Sequence, residues 1–168
     1  FALVGQTFSD GAVNGDFYLI RIDSNGDTLW TKSFGGEGED EGNSIATTTD
    51  GGFLLAGTTT SFGAGGLDMY VVRTDLNGDT LWTKTYGGVE DDVCNDIAMS
   101  ANGDFVIVGG SYNLTPGKSD FIIRKQSPTG ADVWVKSDSR DGDNFLTDVI
   151  IEPSTQYVTV VGYLTDGP

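Results

Sequence analysis

Three acidic loops carry the residue types of this chain that could do chemistry. Carboxylates and one amide stand at close spacing on glycine-rich segments, and such oxygen ligands suit a hard cation, which makes calcium a possible cofactor. The spacing of an EF-hand loop is absent. The alternative is a solvated acidic loop in which position 40 and its equivalents 92 and 144 accept backbone N–H groups at the turn. The candidate ligand or metal-binding residues are Glu39, Asp40, Asp91, Asp92, Asp141, Asp143 and Asn144.

The composition excludes several other kinds of site. The 168 residues include no histidine and one cysteine, so a Ser-His-Asp triad, a Cys-His dyad, a histidine or cysteine metal site and an internal disulfide are all ruled out. Nine Lys+Arg stand against 25 Asp+Glu, a net charge of −16. That charge repels phosphate backbones and anionic membrane surfaces. We therefore expect no nucleic-acid partner, no membrane insertion and no enzymatic activity.

The elements that position the acidic loops repeat along the chain. Residues 1–52 match residues 53–104 at 26 of 52 positions without a gap. Residues 105–156 match the second copy at only nine positions, and one inserted residue then moves Gly162 to a spacing of 53 from Gly109. The chain thus holds three copies and the start of a fourth. Its first and last residues lie in or beside apolar runs, so we expect a piece of a longer protein.

Each copy reads as four short β-strands. In the best-matched copy we predict strands at 44–49, 53–59, 68–75 and 79–86, because these segments are rich in Val, Ile, Thr and aromatic residues. Asn-Gly and Asp-Gly pairs separate them and favour two-residue hairpins. No apolar stripe of helical spacing is present.

Four antiparallel strands in about 50 residues are typical of a β-propeller blade. The predicted fold is therefore all-β, with a period of 52 residues and about three and a quarter blades. We place a partial blade with its second to fourth strands at 1–34, full blades at 35–86 and 87–137, and a partial blade with its first two strands at 138–168. The acidic loops and the loops at 60–67 and 111–119 would open on one face.

Residues 16–59 also resemble the β-propeller repeats of secreted bacterial proteins, the SBBP-type repeats. The pattern of D-aromatic, R/K-x-D-x-x-G, L-W followed by Gly-Gly, I-A and D-G is met nearly throughout by the first two copies. The third keeps Asp120, Gly130 and Trp134 but has Ser139-Arg140 in place of Gly-Gly. The resemblance implies a propeller, export to the cell surface or medium, and a large parent protein. It implies no particular activity.

A second repeated motif runs from Asp23 to Trp30 and from Asp75 to Trp82. We interpret it as structural: the aspartate accepts N–H bonds across a hairpin turn, and the tryptophan packs between blades. The repeated residues that we assign to the fold are Asp16, Gly26, Trp30, Asp68, Gly78, Trp82, Asp120, Gly130 and Trp134.

Six of the nine basic residues also repeat, as two sets of three. We expect each to pair with a carboxylate such as Asp23 or Asp27 of its own blade, with little effect on stability where it is exposed. Cys94 is predicted to lie in an acidic loop as an incidental small residue. The two sets are Arg21, Arg73 and Lys125, and Lys32, Lys84 and Lys136.

These observations favour a non-catalytic extracellular scaffold or recognition module that binds a carbohydrate or a protein at the cell surface through its acidic loops. One alternative is a glycan-active enzyme in which two of Asp40, Asp92 and Asp143 act as acid and base or nucleophile. The other is an assembly module, in which the strand at about 147–152 completes a blade of a second copy. Otherwise the remaining blades come from the parent chain.

Overall fold

The computed structural model describes residues 1–9, 14–115, 117–138 and 142–165, and side chains for all of these except 113–115. The described residues form β-structure without a helix, so no helix long and apolar enough to cross a membrane occurs among them. The strands are β1 (Ala2–Thr7), β2 (Asp16–Ile22), β3 (Thr28–Phe34), β4 (Asp40–Thr47), β5 (Phe53–Thr59), β6 (Asp68–Thr74), β7 (Thr80–Tyr86), β8 (Asp92–Met99), β9 (Phe105–Thr115), β10 (Lys118–Gln126), β11 (Asp132–Asp138), β12 (Asn144–Ile151) and β13 (Val158–Leu164).

The strands form four antiparallel sheets, each built from strands that are consecutive in the chain. Sheet I is β1-β2-β3, sheet II is β4-β5-β6-β7, sheet III is β8 to β11 in the same order, and sheet IV is β12-β13. Asn-Gly turns connect several of these strands. Gly26, Gly78 and Gly103 have φ values between 81° and 91°, which glycine adopts without a steric penalty.

The first strand of each copy begins earlier than the sequence predicts. The strand expected at 44–49 is β4, and its first residue Asp40 pairs with Thr59 of β5. A β-bulge between Gly42 and Ser44 keeps the longer strand in register. The polar residues of 40–43 look like loop in a sequence, but they extend the ladder, so part of each predicted acidic loop is strand.

A glycine on the second strand makes room for this bulge. A Cβ on Gly57 would overlap the backbone carbonyl of Glu41, and one on Gly109 would overlap that of Val93. Gly162 stands against Phe145 in the same way. At the equivalent Gly5, whose strand β1 has no described strand on that side, no atom lies within 4 Å. The repeated glycine is thus required by the neighbouring strand.

Successive sheets pack face to face through separate apolar clusters. Phe17 and Leu19 of sheet I meet Phe53 and Leu55 of sheet II in one cluster. The other faces of β5 and β6 pack on sheet III, so every residue of these two strands is buried. The second cluster contains Leu54, Ala56, Met69, Val71, Cys94, Ile97, Phe105, Ile107 and Ile122, and the third, between sheets III and IV, contains Val106, Val108, Leu146 and Val149.

Cys94 therefore lies in the core and not in a loop as predicted. It stands on β8, is fully buried and forms no disulfide. Its equivalents Gly42 and Leu146 are also buried. The sequence prediction was wrong because the preceding acidic residues conceal the start of the strand.

Candidate functional site

Asp40 and Asp92 are equivalent residues of the repeat, and both are buried at the first position of their strands, β4 and β8. The N–H of Gly36 donates to Asp40 Oδ2 at 2.9 Å, and Ser61 Oγ donates to the same oxygen at 2.6 Å. The N–H of Gly88 donates to Asp92 Oδ2 at 2.8 Å. These carboxylates close the turn before each strand, which is the arrangement that the turn-capping alternative describes.

Each of these two residues has a second carboxylate beside it, 24 positions earlier. Asp16 Oδ1 and Asp40 Oδ2 both lie within 2.6 Å of the point where a Cβ on Gly35 would stand. Asp68 Oδ1 and Asp92 Oδ2 lie within 2.8 Å of the same point on Gly87. Only glycine fits between such a pair. Asp120 and Asn144 occupy the corresponding positions in the third copy, and both are buried.

In each of these two pairs, burial and the neighbouring carboxylate raise the pKa of one member. Burial raises the pKa of Asp16 above its ordinary value, and the charge of Asp40 raises it further. Burial also raises the pKa of Asp68; the Ala64 N–H, which donates to it at 2.8 Å, opposes that shift, and Asp92 adds to it. A carboxyl beside a like charge holds its proton more tightly.

The remaining loop candidates that the structure describes are exposed, and two of them accept backbone N–H groups. The N–H of Leu67 donates to Asp91 Oδ1 at 2.8 Å, and that of Ser119 donates to Asp143 Oδ1 at 2.9 Å. Glu39 is exposed, and its own N–H donates to Thr60 Oγ1 at 2.7 Å. Asp141 lies outside the described residues. Within residues 1–9, 14–115, 117–138 and 142–165, no three acidic or cysteine side chains converge as a metal site would require.

The hairpin motif is held by its own aspartate. Asp23 Oδ1 accepts the N–H groups of Asn25 and Asp27 at 2.8 and 3.0 Å. Asp75 accepts those of Asn77 and Asp79 at 2.8 and 2.9 Å. These backbone donors lower the pKa of both carboxyl groups.

The tryptophan of this motif contacts the next sheet. Trp30 of β3 meets Phe53 of β5 edge to face with ring centroids 6.2 Å apart, and Trp82 stacks on Phe105 at the same distance. The Trp30 ring also covers Gly78, because a Cβ there would lie 2.8 Å from it. Trp134 of β11 is half-buried.

The predicted pairing with a carboxylate of the same sheet is wrong for Lys32 and Lys84 and is found for Arg73 and Lys125. Lys32 Nζ lies 2.9 Å from Asp79 of sheet II, and Lys84 Nζ donates to the Gly130 carbonyl of sheet III at 3.0 Å. Both lysines thus reach the hairpin of the following sheet, not a carboxylate of their own. Arg73 does stay in its own sheet, but its partner is Asp50 of the turn before β5, 2.5 Å away. Lys125 pairs likewise with Asp104 at 2.9 Å and Arg124 with Asp132 at 2.8 Å.

A set of polar residues on the first strands of successive sheets was not singled out in the sequence. Asn43 Nδ2 donates to the Cys94 carbonyl at 2.9 Å, and Asn95 Nδ2 donates to the Leu146 carbonyl at 2.7 Å. These two bonds link β4 to β8 and β8 to β12 in the same way. Their repetition at a spacing of 52 was visible in the sequence, but the partner is a backbone atom and leaves no signal there.

A cleft of about 650 Å³ opens where these asparagines stand. One side is aromatic. The ring centroids of Phe145 and Tyr163 are 5.5 Å apart, and those of Phe145 and Tyr112 are 6.0 Å apart. We refer to it as the inner-strand cleft. Its lining consists of Glu41, Asn43, Thr58, Leu67, Val93, Asn95, Phe145, Thr147 and Tyr163.

The chain has a distant relative among proteins of known name. It is 27% identical over 141 residues to the regulatory protein FlaEY of Caulobacter vibrioides, an alignment that covers 76% of this chain. The chain spans 14% of the length of that protein. No protein-family model matches the chain.

Proposed function

We propose that the chain is a segment of a β-propeller that serves as a non-catalytic extracellular scaffold or recognition module, binding a carbohydrate or protein ligand at the cell surface. In this proposal sheets I to IV are successive blades with the boundaries 1–34, 35–86, 87–137 and 138–168. The remaining blades come from the parent chain. The chain's small share of its FlaEY relative is compatible with one module inside a longer protein.

The observation that carries the proposal is the repeated asparagine bond between first strands. Asn43 and Asn95 each join one sheet to the backbone of the next at nearly equal length. Equal links between successive units favour an equal rotation from sheet to sheet. An equal rotation of four-stranded sheets about their first strands is the geometry of a propeller.

The contacts farther from the first strands support the same arrangement. Lys32 and Lys84 each reach the hairpin of the following sheet. Trp30 and Trp82 each pack on the second strand of that sheet. The junction between sheets II and III therefore combines all three kinds of contact. The junction between sheets I and II repeats the lysine and tryptophan contacts, and the junction between sheets III and IV repeats the asparagine bond.

The hydrogen bonds of the acidic residues support a non-catalytic scaffold role. Asp40 and Asp92 are buried and hold turns, and Asp143 accepts a backbone N–H. These three were the candidates for the glycan-active enzyme, and each has a local structural partner. In the assembly alternative β12 would complete a blade of a second copy; β12 pairs with β13 from Asn144 to Ile151 on one edge, and no other described strand pairs with it.

Small-angle scattering tests the architecture. The 168-residue chain should give the profile of an open fan of sheets, and a longer piece of the parent chain with further repeats should give a closed disc. A rod-like profile with either protein would contradict the propeller. Cell fractionation of the source organism, with an antibody against this chain, tests the extracellular location: signal confined to the cytoplasm would contradict it.

A further inference from the structure

The inner-strand cleft combines fixed acceptors with an exposed aromatic ring. A carbonyl oxygen can only accept, so the Asn43 and Asn95 amides must direct Nδ2 toward the next strand. Each Oδ1 is then left as an acceptor on the other side of its amide. Two acceptors whose orientation is fixed by the fold lose little freedom when a ligand binds.

The aromatic side of the cleft departs from the repeat. Phe145 and Tyr163 are cross-strand partners at the position that Glu41 and Thr58 occupy in sheet II. The same position in sheet III has Val93 opposite Gly110. An aromatic pair at this position therefore occurs in sheet IV and not in sheets II or III, so the four-stranded pattern does not require it.

The neighbouring sheet leaves space for this pair. A Cβ on Gly110 would overlap the ring of Phe145, so the glycine is needed for the ring to lie where it does. Phe145 is half-buried, whereas Tyr163 is 52% exposed. Phe145 thus supports Tyr163, and Tyr163 presents an aromatic surface beside the polar residues.

The charge of the cleft limits the ligand. Among the described residues, its lining includes the exposed carboxylate of Glu41 and no lysine or arginine, and the chain carries −16 overall. An anionic ligand would be repelled. The cleft offers acceptors for hydroxyl donors, from Glu41, Asn43 and Asn95, and a ring for an apolar C–H face.

We propose that the inner-strand cleft binds a neutral saccharide, with one sugar ring on Tyr163 and hydroxyl groups donating to Asn95 and Glu41. This inference rests on the proposed recognition function and assigns its ligand class and site. It moves the site from the acidic loops, where Asp40, Asp91, Asp92 and Asp143 accept backbone N–H groups, to the first strands.

The test is calorimetric titration of the 168-residue chain with four neutral hexasaccharides of glucose, mannose or xylose: cello-, malto-, manno- and xylohexaose. We expect at least one to bind, and Tyr163→Ala to weaken it about tenfold or more, the loss expected for one ring contact. Glu41→Gln should weaken it less. The matched control is Tyr157→Ala, since Tyr157 is 68% exposed, lies just before the same strand and does not line the cleft.

Thermal unfolding of each variant separates loss of the site from loss of the fold. Binding that survives Tyr163→Ala in a folded protein overturns the cleft but leaves a recognition module with another site. No binding to any of the four sugars, or preference for a basic peptide over them, overturns the saccharide assignment. The scattering experiment on the architecture is independent of these results, so a failed propeller is recognised separately.

Discussion

The Asp96 and Asp148 side chains lie within hydrogen-bonding reach of each other across the junction between sheets III and IV, although both are carboxyl groups. A hydrogen bond between them requires a proton on one of them. Asp96 is also held by Ser44 Oγ at 2.5 Å and by the Val149 N–H at 2.7 Å. Burial raises the pKa of Asp96, and the bond to Asp148 raises it further, while Ser44 and the backbone donors oppose the shift.

This pair should make the protein less stable as pH rises. Because the pKa of Asp96 is higher in the folded than in the unfolded chain, the folded state binds more protons between the ordinary value of 3.8 and the raised one. That contribution to stability is fully present below pH 3.8 and is lost as pH rises through the folded pKa. Urea unfolding at a series of pH values measures it.

Asp148→Asn should remove most of this dependence. The asparagine amide can donate to Asp96 without a shared proton, so we expect the free energy of unfolding at pH 7 to rise by about 0.5–1 kcal/mol, allowing for solvent screening at this half-exposed pair. Glu37→Gln, an exposed site with the same change of charge, is the control. Equal gains in both variants would mean that net charge, and not this pair, is responsible.

Gly57 and Gly5 offer a matched test of the bulge. Gly57→Ala places a methyl group on the Glu41 carbonyl, which backbone atoms cannot easily avoid, so we expect a loss of roughly 2–4 kcal/mol. Gly5→Ala at the equivalent position meets nothing within 4 Å. It should change the midpoint of urea unfolding little. Similar losses at both positions would show that glycine matters there for another reason.

Cys94 should report unfolding of the junction between sheets II and III. Its side chain is fully buried, and burial followed by the charge of Asp96 raises the pKa of the thiol to about 12. Since the thiolate is the reactive form, we expect a disulfide reagent to label the native protein only as fast as the core opens. Labelling within seconds in native buffer, at the rate of a free thiol, would contradict the burial.

Calcium removal should leave the thermal midpoint unchanged. Three of the carboxylates that the sequence offers as ligands, Asp40, Asp92 and Asp91, accept the N–H groups of Gly36, Gly88 and Leu67. A cation would have to compete with these bonds. Differential scanning calorimetry with EDTA and with millimolar CaCl₂ measures the difference, with MgCl₂ as the ionic-strength control. A rise specific to calcium would restore the calcium hypothesis.

The sequence was most informative where turn chemistry and apolar pattern agree. The strand predicted at 53–59 is β5 residue for residue, because the Asp50-Gly51 turn precedes seven residues that are mostly apolar or threonine. Less could be predicted about the first strands, since polar residues such as Asn43 and Asp96 belong to them. Burial there is set by the next sheet, and a single chain segment does not reveal which neighbour it meets.

The site was harder to predict than the fold for the same reason. Lys32 and Lys84 occupy equivalent positions in two copies of the repeat, but the sequence does not show that they reach the following hairpin. Phe145 and Tyr163 are cross-strand partners because of the residue inserted in the last copy and the register between β12 and β13. The spacing of 52 residues shows which positions of two copies are equivalent. It does not show which residues of one copy contact the next.

The separation of the core into one apolar cluster per junction gives the molecule nearest-neighbour cooperativity. Sheet II is clamped on both faces by Phe53 and Leu55 on one side and Leu54 and Ala56 on the other. Sheet IV has a smaller cluster on one described face. For the 168-residue chain we therefore expect opening to begin at β12–β13 and spread inward, with the amide protons of β5 and β6 exchanging last. Each sheet is thus stabilised mainly by the sheets that pack directly on it.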